Sequence, residues 1–227
     1  MSGLNAEVEI ARLVSRTKLR KEEAKDCRDE GDIEGAIRAL KNAVETLEAS
    51  PLAVELEVIG EASQPVKTLA FHLADCIGML GGNFRRLNRL DEAQACFERG
   101  RVYEESPALD VMSSYNLVNA ITLPLETGTR QLAEQTNALS QAVTAIDRQV
   151  KGDRRNDRWG WADLAQCQLL LNARDDALRS YRRARDLGDE ETVTSMVSVL
   201  KRLHAMLRAT EIETANRIED TIRALSS

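Results

Sequence analysis

Three features of this 227-residue sequence predict an all-α fold of antiparallel helix pairs. Apolar residues recur three and four positions apart over long stretches. Turn formers are sparse, with 12 Gly and 4 Pro, whereas a β-sandwich or barrel needs them at short intervals. Three segments also superpose when the chain is laid on itself, which marks a repeat architecture.

The clearest segment carries Ile77, Leu80, Gly81 and Phe84, then Asn88, then Ala93, Phe97 and Gly100. Another carries Trp161, Leu164, Ala165 and Gln168, then Asn172, then Ala177, Tyr181 and Ala184. The third, fainter, has Ala24, Cys27, Gly31, Ala36, Leu40 and Ala43. In each, a small residue of the first helix precedes the first alanine of the second by 12 positions: 24 to 36, 81 to 93 and 165 to 177. Apolar residues three and four apart share one face of a helix, and small residues let two helices approach closely. Turns are predicted at Gly31–Asp32, Asn88–Arg89 and Asn172–Ala173.

These residues resemble the tetratricopeptide repeat, whose ~34-residue unit has Trp, Leu, Gly and an aromatic on its first helix and Ala, aromatic, Ala on its second. The resemblance covers 17–50, 66–107 and 158–189. Arg20 replaces an apolar signature residue in the first, and the closing proline is displaced to Pro51 and Pro107. It implies a right-handed superhelical α-solenoid, one helical-repeat domain over 1–227, with the first helices of the pairs lining a concave groove.

The array is irregular, since Ala36 to Ala93 spans 57 residues and Ala93 to Ala177 spans 84. Residues 51–65 read as a short helix and a linker, and Val66–Arg86 as one long helix. Residues 111–150 are predicted to hold a degenerate pair. Its first helix is Val111–Leu123, ended or kinked by Pro124, with a turn at Thr127–Gly128 and a stripe of Leu132, Leu139, Val143 and Ile146. The segment 151–158 is a polar loop. Residues 190–227 read as two capping helices with stripes Val193, Val197, Leu200, Leu203, Leu207 and Ile212, Ala215, Ile218, Ile222, Leu225. Capping is the favoured reading of the second stripe, and a homodimer seam over 212–225 is the alternative.

Tyr115, Asn116, Asn119, Ala120, Thr122 and Leu123, followed by Trp159–Gly160–Trp161, more loosely resemble the helical TRAFs-binding domain over about 66–207. That module occurs beside stress-activated MAP kinase kinase kinase domains and in bacterial proteins. The kinase glycine loop and catalytic-loop motifs are absent, so only the helical module is shared.

A net charge of −6 opposes nucleic-acid binding, which needs a broad basic field. Between Arg148 and Arg185 the balance reverses, with 10 Lys/Arg against 5 Asp/Glu, which reads as a solvated face or an anion-binding patch. Cys27, Cys76, Cys96 and Cys167 have no metal-ligand spacing and read as small hydrophobes of a reducing cytoplasm. No apolar run approaches the ~20 residues of a membrane span, and the first residues lack the basic start and apolar core of a secretion signal.

His72 and His204 are the only histidines, each within a helical run, and no nucleophile, metal or phosphate-loop motif accompanies them. The reading is therefore a non-enzyme without cofactor or metal. The resemblance implies groove positions Lys18, Lys21, Lys25 and Arg28; Asp75, Gly78, Gly82, Arg85 and Arg86; and Trp159, Ala162, Gln166, Leu169 and Leu170. The first set forms a basic stripe on one helix face that, with Arg85 and Arg86, suits an acidic segment or a peptide carboxylate. It is loosely similar to carboxylate-clamp repeats, which have asparagine where this chain has Lys25. Trp159 reads either as a partner anchor or as a staple of the loop before it, and Trp161 as core. The expected function is an adaptor or scaffold for a protein or peptide, possible rivals being self-association through 212–225 and sensing of an anion near Arg154, Arg155 and Arg158.

Overall fold

The computed structural model describes residues 3–57 and 60–226. Val58 and Ile59, part of the linker expected over 51–65, lie outside the described residues, as does Ser227 of the second capping helix. The described residues form ten α-helices: α1 Gly3–Asp29, α2 Ile33–Glu48, α3 Gln64–Arg86, α4 Leu90–Glu105, α5 Tyr115–Glu126, α6 Leu132–Lys151, α7 Arg158–Leu170, α8 Arg174–Leu187, α9 Glu190–Leu207 and α10 Ile212–Ser226. A 3₁₀ segment, Pro51–Glu57, follows α2. The chain separates into two compact units, the first ending at Leu117 and the second starting at Val118.

The repeat is visible in the backbone of its turns. Gly31, Asn88 and Asn172 take positive φ of 86°, 58° and 66°, a conformation that Gly and Asn adopt most readily. Their N–H groups donate to the carbonyls of Arg28, Arg85 and Leu169 at 3.0, 3.0 and 3.1 Å. The next N–H groups, of Asp32, Arg89 and Ala173, donate five residues back to Cys27, Phe84 and Gln168 at 2.8, 2.9 and 2.9 Å. This pair of bonds is the Schellman motif, which satisfies the last carbonyls of a helix. The turn after α5 repeats it, with Gly128 at φ 70° and the Thr129 N–H donating to Pro124 O at 3.0 Å.

In the first unit, α1, α2 and α3 enclose Leu13, Val44, Leu47, Leu69, Leu73 and Ile77, with Leu52 of the 3₁₀ segment closing one end. Arg20, at the apolar signature position, stays exposed and pairs with Glu23 at 2.6 Å. The α3–α4 crossing is as close as its side chains allow. A Cβ on Gly81 would lie 2.8 Å from the Phe97 ring.

The helix expected from Val111 begins only at Tyr115. Val111 is instead packed with Val66, Ala70, Ala74 and Leu109 against α3. Helix α5 starts where an acceptor awaits its free N–H groups. The Glu104 side chain, 9% exposed, accepts from the N–H groups of Asn116 and Leu117 at 3.1 and 2.8 Å, from Asn116 Nδ2 at 2.9 Å and from Ser113 Oγ at 2.7 Å. Asn116 Nδ2 also reaches Ala74 O at 2.9 Å, and its amide presses on Gly100, where a Cβ would meet it at 2.3 Å. Pro124 does not end the helix, which runs on to Glu126.

In the second unit, Leu164, Ala165, Ala177, Tyr181 and Ala184 are all buried at the α7–α8 crossing. The inward face of α9 is rotated from the expected one. Thr192 and Met196, rather than Val193 and Val197, are buried with Leu200, Leu203 and Leu207. Thr192 tolerates burial because Asp189 accepts from its N–H at 2.9 Å and its hydroxyl at 2.7 Å, in a capping box. On α10, Ala215, Ile218 and Leu225 are buried within the unit and Ile212 is 65% exposed.

Two outcomes follow. Gly100→Ala displaces Asn116 and should lower unfolding stability in urea by about 1–3 kcal/mol. Glu104→Gln turns an N–H donor toward one of the donors now bound, costing about 1–3 kcal/mol at neutral pH. Burial raises the Glu104 carboxyl above the ordinary range against the pull of its hydrogen bonds. The folded chain therefore binds that proton more tightly than the unfolded one, so wild-type stability declines as pH rises from the unfolded value to the folded one. The gap between wild type and Glu104→Gln should accordingly narrow as pH rises through that window.

Candidate functional site

Lys18, Lys21, Lys25 and Arg28 are spaced 3, 4 and 3 residues apart on α1, which puts them on one face. They are not four equivalent cations. Lys21 Nζ is bound by the Asp75 carboxylate of α3, the two side chains being 28% and 34% exposed. Lys18 and Lys25 are exposed on either side of it. Arg28 lies 3.5 Å from Asp29.

One turn before Asp75, His72 is buried, and its Nδ1 has no hydrogen-bond partner. Burial and then Lys21 hold its imidazole below the ordinary histidine range, with Asp75 pulling the other way and Lys18 acting with Lys21. The His72 ring meets that of Phe71 edge-on at 5.4 Å, and Phe71 is 41% exposed. Sequence reasoning named Asp75 only as a groove position and missed Phe71 and His72 as its companions. The signal was present in Phe71, Asp75, Gly78 and Gly82, whose steps of 4, 3 and 4 share one face of α3.

Gly78 and Gly82 do not form an open floor. A Cβ on Gly78 would meet the Tyr115 ring at 2.8 Å, and one on Gly82 would lie 3.1 Å from Tyr115 Oη. Tyr115 therefore covers this part of α3 while remaining 40% exposed itself. Arg85 and Arg86 lie about 15 Å further along the helix from Asp75, at 1.5 Å per residue. The Arg85 guanidinium stands 5.8 Å from the Phe97 ring centroid, and Arg86 donates to Asn83 Oδ1 at 3.4 Å.

The second unit holds Trp159, 42% exposed, with the Arg158 guanidinium 5.4 Å from its ring centroid. The stapling role falls to its neighbour. Trp161 is only partly buried, and its Nε1–H donates to Arg155 O at 3.0 Å, tying the 151–158 loop to α7. Arg154 is 7% exposed, bound to Gln149 Oε1 at 2.6 Å and Asp157 Oδ2 at 2.8 Å. Its guanidinium fills the space over Gly160, where a Cβ would lie 2.9 Å away. Arg158 lies 3.8 Å from Asp189. Of the three arginines considered for an anion, Arg154 is thus spent on structure. An open cleft of ≈620 Å³ lies between Leu132, Leu170, Leu171, Ile212 and Arg217.

Burial pushes the Cys76 thiol up to about 12 and the Cys96 thiol up to about 11, and raises that of Cys167 as well. These sulfurs are held as thiols, the form that is not nucleophilic. Among the described residues no three His, Cys, Asp or Glu side chains gather as metal ligands, and no helix is long and apolar enough to cross a membrane. Trp161→Phe, which keeps an aromatic ring but loses the bond to Arg155, should cost about 0.5–1.5 kcal/mol in thermal unfolding through that bond. Trp159→Phe should cost less.

No family model matches the chain, and no curated protein matches it. Solved structures similar to it include BtubC (BKLC) from P. vanneervenii, 14% identical over 97% of this chain and 91% of that one, with a TM-score of 0.48. A putative kinesin light chain of nearly identical TPR-like repeats from Podosopora anserina is 14% identical over 96% of each chain, with a TM-score of 0.40. The MamA RS-1 ArsTM double mutant is 14% identical over 93% of this chain and 94% of that one, also with a TM-score of 0.40. By its own repeated residues, turns and helix crossings, the chain is built of tetratricopeptide-like helix pairs.

Proposed function

We propose that the chain is a non-catalytic interaction module that holds a protein or peptide segment against the α1–α3 face of its first unit. The observation that carries this reading is the Lys21–Asp75 pair, because the face already holds a carboxylate, the chain's own. Exposed Lys18 and Lys25 flank that pair, and Phe71 offers an apolar contact beside it. Cations around a half-exposed aromatic ring suit an acidic segment with an apolar anchor. Arg28, Arg85 and Arg86 would extend the positive charge toward the far ends of α1 and α3. Trp159, in the second unit, is a separate candidate contact. A reducing, cytoplasmic setting fits the four free cysteines.

The rival readings draw less support. The α10 stripe that would form a homodimer seam is largely buried against its own unit, and Arg154 of the anion patch is engaged internally.

The test is affinity purification from the native cell with wild type and with Lys18→Glu/Lys25→Glu, two exposed positions whose reversal should leave the melting temperature within a few degrees. A partner captured by wild type should fall at least about tenfold in the variant, an energy of ~1.4 kcal/mol or more. Equal capture by both proteins would move the site off this face.

A further inference from the structure

The basic face of α1 and α3 is partly neutralised from within. Asp75 occupies Lys21 as a partner's carboxylate would. His72, one turn earlier on α3, is 9% exposed with an unpartnered buried Nδ1, an uncommon state for a buried polar atom. Residues three apart on a helix are neighbours, so Asp75 can serve either Lys21 across the helix pair or His72 along its own helix. The charged groups acting on His72 are Lys18 and Lys21 from α1 and Asp75 from α3, and the Phe71 ring flanks it. With Asp75 spent on Lys21, the two lysines oppose protonation of the ring.

We propose that a carboxylate of an acidic partner segment replaces Asp75 on Lys21, and that Asp75 then faces a protonated His72, so that docking takes up one proton. This rests on the reading of the α1–α3 face as the docking surface. The exchange balances in charge and atoms. Before it, Lys21 and Asp75 are paired, and burial with the two lysines disfavours a proton on His72. Afterwards Lys21 pairs with the partner, and Asp75 pairs with His72, which has gained a proton from solvent. The only bond formed is the ring N–H to the proton taken from solvent. The partner's negative charge and the released Asp75 both favour the imidazolium, so His72 holds its proton more tightly in the complex than in the free chain. Affinity therefore rises as pH falls through the interval between the two values, and is flat above both.

The test uses a capped octapeptide of glutamate as probe, with its glutamine counterpart as control. Glutamate titrates near ~4.3 and stays charged between about pH 6 and pH 8, where a histidine changes charge. Dissociation constants would be measured at both ends of this range at constant ionic strength. In parallel, the His72 ring proton would be titrated by NMR with and without probe, His204 in the second unit serving as internal reference. The expected result is selective binding of the glutamate peptide, at least about threefold tighter near pH 6, and a His72 midpoint that moves up in the complex. His72→Gln should give equal affinity at both pH values. Asp75→Asn should bind more tightly than wild type near pH 8, because Lys21 is no longer occupied.

An affinity independent of pH, with an unmoved His72 midpoint, overturns the proton coupling but leaves the docking face standing. Failure of the folded protein to bind the glutamate peptide at either pH overturns the carboxylate exchange. The interaction reading itself is judged by the charge-reversal purification, whose failure is a different observation.

Discussion

Helices α3, α4 and α5 pack together because Gly78 and Gly81 of α3 and Gly100 of α4 leave room where any side chain would collide. Phe97 of α4 lies over Gly81, and Tyr115 and Asn116 of α5 lie over Gly78 and Gly100. Without that room Asn116 would not reach Ala74 O, nor Glu104 the N–H groups that open α5. The buried carboxylate is held only because four donors converge on it, so its cost and the start of α5 are one constraint. Removing the glycines would therefore undo a polar network as well as a crossing.

Tyr115 covers α3 at Gly78 and Gly82. Phe71 and Asp75 lie earlier on the helix, near its middle. Here α1 presents Lys18, Lys21 and Lys25, and the ion pair, the buried imidazole and the exposed ring are gathered at one place. In the second unit Arg154 ties the 151–158 loop to Gln149 of α6 and to Asp157, and Trp161 ties it to α7, so the arginine-rich stretch there serves partly as mortar between helices.

Burial keeps the Cys76 thiol protonated, and burial together with the neighbouring lysines opposes charging of His72. An ion pair about one-third exposed exchanges partners at small cost, since water screens both the pair it loses and the pair it gains. Such a pair contributes little to holding the fold together.

The repeat was legible in the sequence because its determinants are local. Glycine or asparagine at the left-handed turn position, and an alanine a fixed distance on, act within one helix hairpin, and Gly31, Asn88 and Asn172 stand where the pattern put them. What depends on the rotation of one helix against another was not legible. Val193 and Thr192 are adjacent, and only packing decides which of them turns inward. Tyr115 rather than Val111 starts α5 because Glu104, 11 residues earlier, supplies its cap. Lys21 and Asp75, 54 residues apart, meet only when α1 lies beside α3. Sequence periodicity reports which residues share a helix face, whereas the charge each face meets is set by its neighbour, and that neighbour exists only in the folded chain.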